Sequence, residues 1–103
     1  MIEVTVFKHH SDALKITISG HANSGDYGKD LVCAGASAIF VGTLNALNQK
    51  GIEFNWKMES GDSMLELITI NDSSLLIVET CIIQLQTMQE SYSKYIRIRN
   101  KEV

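Results

Sequence analysis

Proline is absent from this chain of 103 residues. No turn is therefore set by a pyrrolidine ring, and no proline-rich linker divides the chain into modules. Low-complexity segments and internal repeats are absent too, and the whole of residues 1–103 reads as a single domain with a modest core. No uninterrupted run of about 18 apolar residues occurs, which argues against a membrane span. The start, Met1-Ile2-Glu3-Val4, lacks the basic patch and apolar stretch of a secretory signal, so the cytoplasm is the expected compartment. Positive charge is in short supply, with 9 Lys and Arg against 12 Asp and Glu and a net charge of −3. That balance offers no electrostatic case for nucleic-acid binding. The local exception, Lys94, Arg97, Arg99 and Lys101, reads as a solvated helix end. Cysteine is scarce as well: Cys33 and Cys81 are the 2 present. They fall in separate helical patterns, and a cytosolic setting keeps such thiols reduced.

What is present is a globular pattern, with 45% apolar residues. Ile2, Val4 and Val6 alternate with Glu3 and Thr5, which predicts a half-buried strand. His9-His10-Ser11-Asp12 reads as a turn. Leu14, Ile16 and Ile18 alternate with Lys15 and Thr17 as the hairpin partner. From Asp30 to about Asn48 the spacing becomes helical, with Val32, Ala36, Phe40, Leu44 and Leu47 on one stripe. Asp30 is placed to cap that helix and Gly51 to end it. Gly35 and Gly42 inside it cost roughly 1 kcal/mol each against alanine, and leave room for a close neighbour.

Phe54, Trp56 and Met58 predict a third strand, Glu59-Ser60-Gly61-Asp62 a turn, and Met64 to Ile70 a fourth strand. Asn71 to Ser74 is a helix-start cluster, and a helix is expected from Leu75 to about Tyr95. The predicted order is ββαββα: an α+β two-layer sandwich with a mainly antiparallel four-stranded sheet and two helices. The second helix is apolar on more than one face, with Leu76, Ile83 and Met88 off its main stripe. That surplus predicts a homodimer through this helix.

The chemistry concentrates between His21 and Ser37. A histidine ends one strand pattern and a cysteine opens a helix pattern. Thiol proteases need that pair, a thiol that ionises and an imidazole that takes its proton and later returns it. Helix N-termini favour thiolate, because their free N–H groups and dipole stabilise negative charge. Cys33 is assigned as nucleophile and His21 as general acid–base. Asp30 and Ser37 lie at i−3 and i+4 from Cys33, on its face of the helix. Asp30 either caps the helix or orients His21. Ser37 lines the site or bonds its own i−4 carbonyl. The unpaired amides of the first helical turn are natural oxyanion donors. Gly25, Tyr27 and Gly28 lie in a polar connection, from Ala22 to Lys29, expected to open without substrate and close over a bound peptide. His9 and His10 are expected to face solvent without a role, and Cys81, in mid-helix, to be inert core. Zinc is the competing use of His and Cys, but a structural site wants four ligands in paired spacings. No metal or other cofactor is expected.

The run Gly20-His21-Ala22, then Tyr27-Gly28-Lys29-Asp30, then Val32-Cys33-Ala34-Gly35-Ala36-Ser37, resembles the signature of the ribosomal-processing cysteine protease family, Prp. The resemblance spans nearly the whole chain, with Gly20, His21, Asp30, Cys33 and Ser37 all in register. It implies a Cys33–His21 catalytic dyad and a homodimer. It also implies a substrate: the N-terminal extension of a large-subunit ribosomal protein precursor, cut after aromatic residues and before a small one. The alternative is a non-enzymatic ribosome-associated binding module, in which Cys33 would be unreactive.

Overall fold

The computed structural model describes residues 1–22 and 30–103. Its elements are β1 (Ile2–His9), β2 (Asp12–Ser19), α1 (Leu31–Gln49), β3 (Phe54–Glu59), β4 (Asp62–Leu67), α2 (Asp72–Ser91) and β5 (Ile96–Glu102). The five strands form one sheet in the order β3-β4-β2-β1-β5. β1 pairs antiparallel with β2, Val4 facing Ile18 and Val6 facing Ile16, and shifts register between Phe7 and Lys8. β4 joins the far side of β2 and carries β3 as the outer edge, both antiparallel.

β5 overturns the predicted ββαββα order and the mainly antiparallel four-stranded sheet. It is a fifth strand, parallel to β1, with Ile2 opposite Ile96 and Val4 opposite Ile98, so the sheet is mixed. α2 stops at Ser91, and the Ile2 amide donates to the Tyr95 carbonyl at 2.7 Å as the chain enters the strand. The physical reason is visible in Ile96-Arg97-Ile98-Arg99, whose period is two. Ile96 is fully buried on the helix side, while Arg97 and Arg99 reach Glu3 on the opposite face. Taken as the tail of a helix, that stretch looked like a solvated basic end. As a strand it covers the edge of β1, which would otherwise leave a row of unpaired amides and carbonyls.

Both helices lie on the face of the sheet that carries Ile2, Val4, Val6, Ile16 and Leu65. α1 buries Val32, Ala36, Phe40, Thr43 and Leu47 there, and α2 buries Val78, Cys81, Ile82 and Leu85. By length and composition α1 is apolar enough to cross a membrane; in this fold its apolar stripe is spent on the core. Met88 lies closer to that core than its sequence spacing suggested. Its methyl is 3.1 Å from where a Cβ on Gly35 would stand, so Gly35 lets α2 approach α1. Gly42 meets no such neighbour. α2 opens with a reciprocal capping box, Asn71 and Ser74 each accepting from the other's backbone amide at 2.8 and 2.9 Å.

Candidate active site

The first turn of α1 is held by Asp30. Its Oδ1 accepts from the Val32 amide at 3.1 Å and from the Cys33 amide at 3.0 Å, the bonding of an N-cap. Of the two roles considered for Asp30, the geometry displays the cap. It also corrects the expectation for the first-turn amides, since those of Val32 and Cys33 are engaged by a carboxylate and do not point into open space. A different amide faces the thiol: Ala22 N–H donates to Cys33 Sγ at 3.3 Å.

Cys33 is half-buried and lines a cavity of about 480 Å³ with His21, Ser37 and Gly20. The floor is apolar, from Ile2, Ile18, Ala36, Phe40 and Met58, and the β3–β4 turn forms one wall. His21 and Cys33, 12 residues apart in sequence, thus share one cavity. Among the described residues no hydrogen bond joins the imidazole to the thiol. Ser37 is exposed at the same cavity. Its hydroxyl takes no i−4 carbonyl, whereas those of Thr43, Thr80 and Thr87 do so at 2.7 to 2.8 Å.

His21 is placed by its backbone. The Met1 ammonium donates to the His21 carbonyl at 2.7 Å. Gly20 before it has φ +87°, and a Cβ there would stand 2.4 Å from the Met1 carbonyl oxygen. Both facts demand glycine. The Gly20 amide donates to the Gly61 carbonyl at 3.0 Å, which ties the end of β2 to the β3–β4 turn. That turn was legible as a turn in the sequence, but no local signal linked Gly61, Met58 or Ser63 to a site some 40 residues earlier. Gly25, Tyr27 and Gly28, assigned to substrate gating, lie outside the described residues.

The remaining candidates are far from this cavity. His9 and His10 are exposed at the β1–β2 turn, the other end of that hairpin. Cys81 is buried between α1 and α2. Burial pushes its thiol pKa up, partly offset by a hydrogen bond with Thr43. Among the described residues, no group of three or more His, Cys, Asp or Glu is placed to hold a metal ion.

A cysteine at a helix start, an amide on its sulfur and a histidine across an apolar-floored cleft make a thiol-hydrolase type of site. Comparison with known proteins narrows this: residues 1–97 match the family described as Cysteine protease Prp, and the chain belongs to it. It is therefore a cysteine protease. The ribosomal processing cysteine protease Prp of Staphylococcus aureus is 36% identical over 107 aligned positions, covering 97% of each chain. Its Bacillus subtilis counterpart is 29% identical over 112 positions. A crystal structure of the S. aureus protease with a covalently linked product peptide superposes with a TM-score of 0.93 at 32% identity, covering 98% of this chain and 100% of that one. A second, with a substrate peptide, gives 0.87 at 31% identity.

Proposed function

We propose that this chain is an endopeptidase that removes an N-terminal extension from a large-subunit ribosomal protein precursor, with Cys33 and His21 as its dyad. The observation that carries the reading is the shared cavity of the two side chains, in a chain aligned end to end with proteases named for ribosomal processing. Cys33 Sγ attacks the scissile carbonyl while His21 takes the thiol proton. The tetrahedral intermediate collapses as His21 returns that proton to the leaving amine, and a thioester remains on Cys33. His21 then draws a proton from water, which attacks the thioester and frees the second product. The Ala22 amide, already on the sulfur, is the nearest donor for charge that develops there. The apolar floor formed by Phe40, Met58 and Ile18 suits a large apolar side chain beside the cut bond. The site works with protein groups alone, in the cytoplasm, where precursor and thiol coexist.

The protease acts as a homodimer through α2. Leu76 and Ile83 are 63% and 53% exposed, one above the other at i and i+7. Ile83→Lys, outside the core, is the informative variant; light scattering of wild-type protein as a monomer at micromolar concentration would remove the dimer. The function itself is tested by mass spectrometry of candidate ribosomal precursors incubated with wild-type protein and with Cys33→Ala. A trimmed N-terminus that appears with wild type alone is the expected result.

A further inference from the structure

The imidazole of His21 meets the β3–β4 turn end-on. A Cβ built on Gly61 would stand 2.8 Å from Nε2 and 3.4 Å from each of the flanking ring carbons, Cδ2 and Cε1. The ring atom nearest that position is Nε2, and the ring can lie so close because residue 61 has no side chain. The turn that makes it is anchored on the neighbouring residue, through the Gly20 amide and the Gly61 carbonyl. Lys57 and Asp62 close the hairpin beside it with a 2.6 Å ion pair. The His21 carbonyl is held independently by the Met1 ammonium. Three separate stretches of chain, the start of β1, the end of β2 and the β3–β4 turn, therefore converge on one histidine.

We infer that Gly61 is a positioning residue for His21: its bare Cα is the stop that sets where the Nε2 end of the ring comes to rest in the cavity of Cys33. This rests on the reading of His21 as the general acid–base. A methyl at residue 61 cannot share the space with Nε2, since 2.8 Å is closer than carbon and nitrogen approach without displacement. His21 is exposed and has room to swing outward, so the ring yields and the backbone stays. The fold survives while the proton acceptor leaves its place.

Gly61 also has φ +72°, which any L side chain resists. A loss of activity from strain alone must be told apart from displacement of the ring. The protein contains its own control. Gly51, between α1 and β3, has φ +68°, and nothing lies within 4 Å of where its Cβ would be. Gly51→Ala carries the backbone strain without the encounter.

The test compares Gly61→Ala, Gly51→Ala and His21→Ala with wild type in hydrolysis of a synthetic peptide carrying Phe before Ala, beside thermal melts. Both glycine variants should melt lower by similar amounts. Gly51→Ala should keep wild-type kcat and KM. Gly61→Ala should lose kcat by about 100-fold or more, the share a positioned acid–base supplies, with KM within about threefold. Its His21 ring carbons should shift in NMR spectra while those of His9 and His10 stay in place. Wild-type kcat in Gly61→Ala, or a raised KM alone, would overturn the inference. His21→Ala cleaving as fast as wild type would overturn the dyad, and this inference with it. Should Gly61→Ala fail to fold, the wild-type protein still decides. Nuclear Overhauser contacts from the Gly61 α-protons to the His21 ring support the assignment, and their absence refutes it.

Discussion

Cys33 stands at the third position of α1, at the rim of a cavity, with an amide on its sulfur and a histidine across the cleft. Cys81 stands in the middle of α2, 1% exposed, against Thr43 of the facing helix. The two regions carry the same side chain on helices of one layer. At the first, a cavity opens onto the thiol and the His21 imidazole lines the same space. At the second, burial favours the protonated thiol and leaves the residue 1% exposed. The difference between the two thiols lies in where each is placed along its helix and what the sheet presents to it.

The sharpest way to break this contrast is to exchange the fates of the two thiols. Cys33→Ala should abolish peptide hydrolysis, a loss of at least about a thousandfold, while the melting curve changes little. Cys81→Ala should cleave at the wild-type rate. Cleavage retained in Cys33→Ala would end the nucleophile assignment. Next in size is a labelling ratio. Iodoacetamide on the folded protein should modify Cys33 well before Cys81, by at least about tenfold, with both equal in urea. Mass spectrometry of the tryptic peptides reads this directly.

Stability effects are smaller. Asp30→Ala should cost about 1 kcal/mol through loss of the cap, and Asp30→Ser should recover most of it. Denaturant melts check both. A cleavage loss of orders of magnitude at unchanged stability in Asp30→Ser would instead make Asp30 the group that orients His21. Cys81→Ala should cost about 1 kcal/mol from a small cavity.

The smallest expected effect is a pH slope. Burial raises the Cys81 pKa above its ordinary 9.0 in the folded state. The unfolded chain loses this proton first, so the stability it contributes is full below about pH 9 and declines as pH rises past it. Urea unfolding at neutral pH and at about pH 10 should show a decline that is smaller in Cys81→Ala, since the other titrating groups are common to both proteins.

The first four strands and both helices were legible because each is written in local spacing. Ile2, Val4 and Val6 alternate, and Val32, Ala36 and Phe40 recur on a helical stripe. The fifth strand was not. Ile96-Arg97-Ile98-Arg99 is too short to outvote the long helix pattern before it, and its partner, β1, lies some 94 residues away. Ile68 and Ile70 misled in the other direction. They extend an apolar run, yet β4 ends at Leu67 and both are 53% exposed. Met88, grouped with Ile83 as surplus apolar surface, instead packs against Gly35.

By itself the sequence determined the chemical inventory: a thiol at a helix start, a capping aspartate before it, a histidine at a strand end, and glycines in register with a protease family. Those are local facts, carried by residue type and spacing. The tertiary structure decided the parallel pairing of β5 with β1, the donation of the Ala22 amide to the Cys33 sulfur, and the approach of Gly61 to His21. Each of these joins segments, or assigns a partner, through packing and closure of the sheet. A hydrogen bond between Gly20 and Gly61 leaves no periodic trace in either segment, because its geometry exists once β2 and β4 lie side by side.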